Sequence, residues 1–303
     1  MPYLDVICVA GWGNRLQPLV SGMRLARKYG YTLRVFWPKQ VYFPCSFSDI
    51  FTNQDFEISE DQSLYQDVLE RKATNRRSYG NNRHDQQDGT IAHFEPTQED
   101  WSVYTHKIFL TTGEFMWSQP RSILDIHEPY LWELRQEFNR LQPNPEIKQM
   151  ILDTIYRFKT DPIVGIHLRK PEILRLDKLM RPEFTNWAWL PDKTIRYAID
   201  DFINADQNVR FFLSTNCKPT ENRFVKKYGE RMIVQQKTVR SLLWDYSNEM
   251  EWAYHTYSTS QAIKEAFVDL TCLSRTDYIM RNWMSTFSSF ASLIHGTNMN
   301  LKV

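Results

Sequence analysis

A chain of 303 residues has room for two domains of ordinary size, and 42% apolar with 24% charged residues suffices to fill their cores and excludes general disorder. Lys and Arg total 37 against 36 Asp and Glu, so no broad basic face is available for nucleic acid and any phosphate site has to be local. No apolar run is long enough to span a bilayer, and the four cysteines, Cys8, Cys45, Cys217 and Cys272, form no C-x-x-C pair, which argues against zinc ribbons and redox dithiols.

Residues 3–10 (YLDVICVA) form a short apolar run rich in β-formers and read as a buried strand ending at Gly11. Leu16, Leu19, Val20, Met23 and Ala26 then recur at helical spacing over 16–29, with Gly30 as the stop. Residues 32–37 (TLRVFW) give a second strand, broken by Pro38. The three form a β-α-β unit whose glycine-containing turn lies at the carboxyl end of its first strand, the edge where open α/β sheets bind ligands. Residues 70–100 are polar, aperiodic and dotted with Gly and Asn, and are expected to be a long surface loop. A short strand at 107–110 and helices at 129–141 and 145–157 follow.

Asp161-Pro162 breaks the last helix, and a second series begins. It comprises strand 163–168 (IVGIHL), helix 192–205, strand 209–215 (VRFFLST), helix 220–228, strand 232–234, helix 260–274, strand 277–281 and helix 288–295. Alternation in both halves predicts two α/β domains, 1–158 and 159–303, facing across a cleft. No sequence repeat relates them. The 10 Trp, 15 Tyr and 18 Phe either fill these cores or stack on sugar rings.

Four places could carry chemistry. At Gly165–Lys170 a buried strand runs into two cations; Arg169 at its carboxyl end could hold a diphosphate with its planar fork, or pair with a rim carboxylate. Thr286, Phe287, Ser288 and Ser289 precede or open a helix, where free N–H groups and hydroxyls either hold a phosphate or serve as ordinary caps. Ser214, Thr215 and Asn216 end a strand, as a ligand-facing tip or a plain exit to a loop. Asp269 lies inside the apolar helix AFVDLTCL and needs a partner: a buried Arg, a helix N-terminus or the N–H edge of a base. The chain has no G-x-x-x-x-G-K-[ST], no G-x-G-x-x-G, no H-E-x-x-H and no D-x-D pair for a divalent ion. A bound phosphate would therefore be neutralised by Arg and helix dipoles, with no metal.

Taken in order, four stretches resemble the GDP-fucose-dependent fucosyltransferases that make α1,6 or protein O-linkages, including the rhizobial nodulation fucosyltransferase. These are Gly11-Trp12-Gly13-Asn14-Arg15-Leu16, VGIHLRK, FFLSTN with ENRFVKKYG, and EAFVDLTCLSRTDYI with STFSSFASLI. They cover roughly half the chain, and 38–160 match little. The resemblance implies a GT-B-like α/β fold of two Rossmann-like domains, an N-terminal acceptor-side domain (1–158) and a C-terminal GDP-sugar-binding domain (159–303). It implies that Arg169 binds the β-phosphate, that His167, Ser214 and Thr215 line the nucleotide pocket, and that Asp269 accepts from the guanine edge. Thr286, Phe287, Ser288 and Ser289 would hold the phosphates and flank the nucleoside. Gly11, Gly13 and Asn14 would lie near the diphosphate and the sugar, with Trp12 bordering the acceptor. Asn216 stands where the family often has Asp, and Lys170 replaces the second Arg of an Arg-Arg pair. The general base is open between Asp177 and Glu172.

The expected reaction is an inverting, metal-independent transfer of L-fucose from GDP-fucose to a glycan or glycoconjugate hydroxyl, with no cofactor. The alternatives are the same fold with another nucleotide sugar, a non-catalytic glycan- or nucleotide-sugar-binding protein, and a nucleotide-binding methyltransferase suggested only by Gly11-x-Gly13. Residues 6–10 are too short for the apolar core of a signal peptide. A cytoplasmic location of bacterial or viral type is expected, or else a chain trimmed of its targeting segments.

Overall fold

The structure is a computed structural model that describes residues 3–9, 11–40, 43–61, 108–111, 128–158, 161–169, 192–238, 259–281 and 285–296. The chain divides into two compact units, Met1–Gln40 with Cys45–Gln142, and Val41–Pro44 with Pro143–Val303. The division thus falls at 142/143, ahead of the junction expected at 158/159. The reason is helix 145–155, which packs against a later helix, 260–273, of the second unit.

In the first unit, β1 (Tyr3–Ile7), β2 (Thr32–Phe36), β3 (Glu57–Ser59) and β4 (Ile108–Thr111) form a parallel sheet in the order β3-β2-β1-β4. Helix α1 (Trp12–Tyr29) crosses from β1 to β2, and α2 (Glu128–Arg140) packs on α1. Leu4, Val6, Leu33 and Val35 of the sheet and Leu16, Leu19, Val20 and Met23 of α1 are buried, as the periodicity requires. Gly22 sets how close the helix comes: a Cβ there would lie 2.4 Å from Val6 Cγ2. The helix stops at Gly30, which takes the left-handed conformation (φ 70°) open to glycine, and Arg27 and Lys28 in its last turn complement the dipole. Strand β3, an edge strand, was not expected from the sequence.

In the second unit, β5 (Ile163–Leu168), β6 (Arg210–Thr215), β7 (Met232–Ile233) and β8 (Tyr278–Met280) are parallel in the order β7-β6-β5-β8. Around this sheet run α3 (Pro145–Ile155), α4 (Asp192–Ala205), α5 (Lys218–Tyr228), α6 (Ser260–Leu273) and α7 (Thr286–Leu293). All six residues of β5 are buried, as for a central parallel strand covered on both faces. Val164, Ile166, Leu168, Phe211 and Leu213 pack with Ile195 and Ile199 of α4 and Phe224 of α5. At Gly165 the sheet meets the end of α6: a Cβ would come within 2.6 Å of Thr276 Oγ1 and 3.0 Å of Leu273 Cδ2. The chain adds β6 and β7 on one side of β5, then returns to place β8 on the other. The strand order therefore reverses between β5 and β8, and the carboxyl ends of these two strands bound the natural ligand crevice.

Candidate active site

The two segments that bracket this switch point carry expected site residues. His167 stands near the carboxyl end of β5, in register with Ser214 of β6, and is 7% exposed. Its ring stacks on Phe287, centroids 4.8 Å apart and planes 27° apart. Phe287 lies in the first turn of α7, which begins at Thr286, earlier than the 288 read from the sequence. The stack ties the end of β5 to the start of α7. Arg169, half-buried, follows His167 by two positions. Burial, then the charges of Arg169 and Lys237, push the imidazole pKa down to about 3, so His167 is neutral at physiological pH. Its Nδ1 has no hydrogen-bond partner among the described residues.

On the α7 side, Ser285 is the N-cap and its side chain makes no capping bond. Ser288 is fully buried, and its hydroxyl donates to Ser285 O (3.4 Å). Thr286, Phe287 and Ser289 are half-buried. The N–H groups of a first helical turn have no intrahelical acceptor and carry the positive end of the dipole. Guanidinium groups and free helix N–H groups are both donors suited to a phosphate or another anion.

Beside them, Ser214 and Thr215 at the tip of β6 are buried. The Ser214 hydroxyl donates to Asp269 Oδ2 (2.8 Å). Lys237 Nζ lies 2.5 Å from the same oxygen and donates to Thr215 O (3.0 Å). The Gln235 amide nitrogen, turned toward them, donates to Asp269 Oδ1 (2.6 Å) and Glu265 O (2.9 Å). Asp269 is 4% exposed; burial pushes its carboxyl pKa up, against the pull of Lys237 and the Ser214 hydroxyl. The partner that the sequence demanded for this carboxylate is thus Lys237, which sequence reasoning missed. It sits in the short polar run QQKT after β7, where neither spacing nor periodicity marks it. Asn216 is exposed just beyond the strand.

In the first unit the N-terminal motif is largely helix, and this corrects its reading as a turn ahead of a helix starting at residue 16. Gly11 is the N-cap, in extended conformation, and Trp12, Gly13 and Asn14 form the first turn of α1. Trp12 is buried against Trp37 (6.0 Å) and Phe51 (6.3 Å), so it is a core residue and does not border an acceptor. Arg15 is fully buried, donating to Cys8 O (2.8 Å), Pro38 O (2.9 Å) and Gln40 Oε1 (3.0 Å), with its guanidinium 4.8 Å from the Trp37 ring centre. It ties together the segments that leave β1 and β2. A Cβ on Gly11 would meet nothing within 4 Å, so packing within the protein does not require glycine there.

Asp177 and Glu172, the candidate bases, and Lys170 lie outside the described residues. Among the described residues no cluster of three or more His, Cys, Asp or Glu could hold a metal ion, and no helix is long and apolar enough to cross a membrane.

Among solved structures, the chain is similar to NodZ alpha-1,6-fucosyltransferase soaked with GDP-fucose, at TM-score 0.57 and 16% identity over 97% of this chain and 93% of that one. Fucosyltransferase NodZ from Bradyrhizobium matches at TM-score 0.56, with 16% identity over 97% and 94%. A mutant of Arabidopsis thaliana FUT1 in complex with GDP matches at TM-score 0.51, with 13% identity over 97% and 68%. The chain has the NodZ fold. No family model and no curated protein matches the sequence. The likeness covers 97% of this chain, against roughly half for the sequence resemblance. The GT-B-like α/β class expected from the motifs is the class observed.

Proposed function

We propose that this protein is a glycosyltransferase that moves L-fucose from GDP-fucose to a hydroxyl of a glycan or glycoconjugate, with inversion and without a metal ion. One observation carries the reading: the His167–Phe287 stack ties the strand end bearing Arg169 to the first turn of α7, at the topological switch of the second sheet. The NodZ fold supports the choice of donor, since NodZ has been soaked with GDP-fucose.

In this reaction the bond between the sugar C1 and the β-phosphate oxygen breaks, and negative charge grows on that phosphate. In this reading Arg169 and the N–H groups at the start of α7 supply the compensating positive charge, and donors held by the fold need little reorganisation as the charge develops. The guanidinium stays charged at any working pH. His167, being neutral, adds no charge of its own; it forms a flat wall with Phe287 and offers Nδ1 for a hydrogen bond. Ser214 and Thr215 complete the nucleotide side. The acceptor oxygen forms the new bond to C1 from the opposite face, and its proton passes to a carboxylate, Asp177 or Glu172. Gly11, Gly13 and Asn14 lie at the carboxyl end of β1 in the first unit.

Arg169→Ala should fold normally and lose roughly 10²–10³ in turnover, as for a deleted oxyanion donor. The decisive assay is GDP-fucose turnover with and without EDTA, for the unaltered chain and for this variant. Turnover that needs a divalent ion, or an Arg169→Ala rate near that of the unaltered chain, would overturn the reading. Titration with GDP, UDP and ADP separates a fucosyl donor from another nucleotide sugar.

A further inference from the structure

The first unit holds a cavity of about 510 Å³, away from the residues proposed to hold the nucleotide. Small molecules bind in cavities of about 300–1,000 Å³. Its walls are the last turns of α1, the first residues of β2 and the segment 54–57 that enters β3. It therefore opens at the amino ends of these strands, the edge opposite the one that carries Gly11. Strand β2 is parallel to β1 and five residues long, so about 15 Å separates the two edges. Met23, Ala26 and Leu33 form its buried apolar part. Phe56 adds a half-buried ring, braced edge-to-face by Phe47 with centroids 5.6 Å apart.

The polar wall is Arg27, Gln54, Asp55 and Glu57, all exposed. Two of these are fixed from behind. Arg27 donates to Glu137 Oε2 (2.6 Å), on a side chain buried in α2. Asp55 Oδ1 accepts from Asn53 Nδ2 (3.2 Å), and buried Asn53 is anchored at the end of α2: it donates to Arg140 O (3.0 Å) and accepts from Gln142 N (2.7 Å). The side chains of Gln54 and Glu57 make no hydrogen bond or ion pair among the described residues. A guanidinium beside two carboxylates opposes a ligand of either charge, since each sign meets its like in the wall. A fatty chain would leave the same wall unsatisfied. A neutral, hydroxyl-rich ring suits it. Its hydroxyls can donate to Asp55, Glu57 and the Gln54 carbonyl and accept from Arg27 and the Gln54 amide, while its C–H face packs on Phe56 and Met23. We propose that this cavity is an accessory saccharide site, which holds a neutral sugar unit at the far edge of the first sheet. It rests on the fucosyl-transfer reading only in taking that sugar to belong to the acceptor glycan; the binding needs no nucleotide.

The test uses the full chain with carbon-13-labelled methionine methyls, titrated without nucleotide. The probes are neutral tetrasaccharides of glucose, of mannose and of N-acetylglucosamine, each at millimolar concentration, with choline as a cationic control. The Met23 resonance is assigned by its loss in M23L. At least one tetrasaccharide should shift it saturably, and choline should not. Q54A/E57A should weaken that binding about tenfold or more, by removing two hydrogen-bonding side chains. Q54W, which adds bulk to the wall, should abolish it. Positions 54 and 57 are exposed, so both variants should melt close to the unaltered chain. R169A should bind the sugar unchanged. No shift at Met23 with any tetrasaccharide, an equal response to choline, or a shift that survives Q54A/E57A and Q54W overturns the proposal. Binding at Met23 in a chain that does not turn over GDP-fucose would sink the fucosyl-transfer reading and leave this site standing. Turnover without binding at Met23 would do the reverse.

Discussion

A buried imidazole with a depressed pKa makes a definite statement about pH. His167 binds its proton only near pH 3 in the folded chain, whereas an unfolded histidine binds it near 6.5. The unfolded state therefore takes up more protons between these values. Stability from His167 is fully present above about pH 6.5 and is lost as pH falls toward 3, at up to about 1.4 kcal/mol per pH unit. Nuclear magnetic resonance titration should find the ring neutral from pH 8 down to at least 5, and His167→Gln should flatten the acid limb of a urea-melt series over that window. A ring that titrates near 6.5 would show that the stack on Phe287 does not enclose it. At this scale the sequence was only half legible. His167 and Arg169 stood out because a buried strand running into cations is unusual. The partner of Asp269 did not, because Lys237 meets it through tertiary folding across 32 positions. Arg15 likewise drew no role from the sequence beyond its place in the motif, although it is buried with three acceptors and its guanidinium lies over Trp37.

Among the elements, most boundaries could be read from periodicity, and the exceptions have physical causes. Strand β3 (Glu57–Ser59) is three residues long and mostly exposed, and is a strand only because it pairs with β2. The start of α1 was hidden by Gly11 and Gly13, whose low helix propensity is outweighed when Trp12 packs against Trp37 and Phe51. Gly22 inside α1 and Gly11 at its N-cap should respond differently to alanine. Ala at position 22 gains about 1 kcal/mol of helix propensity but pushes a Cβ to 2.4 Å from the stiff Val6 side chain, an overpacking cost of roughly 1–3 kcal/mol. Gly22→Ala should therefore lower the melting temperature. Gly11→Ala, at an ordinary extended φ with open space around it, should change stability by only about 0.5 kcal/mol. Thermal melts of both variants decide this, and equal losses would refute the close approach of α1 to β1.

At the scale of the whole molecule, the same wiring occurs twice: a first strand at the centre, two strands added outward, and a fourth returning on the far side. No residue pattern repeats between the halves, so the recurrence was visible to the sequence reading only as strand-helix alternation. Each unit has its own buried core, and the residues proposed to hold the nucleotide, Arg169, His167 and Thr286–Ser289, all belong to the second. A ligand stabilises what it binds by RT ln(1 + [L]/Kd), about 2.7 kcal/mol at 100 times Kd. Saturating GDP should therefore slow hydrogen exchange in β5, β6 and α7 by up to about 100-fold where those amides exchange through unfolding of their unit. The amides of β2 and α2, which belong to the first unit, should change far less. If protection rose equally in both sets, the two cores would unfold together; if it rose in β2 and α2 alone, the nucleotide would have to bind the first unit, and the placement of the phosphate at Arg169 would be wrong.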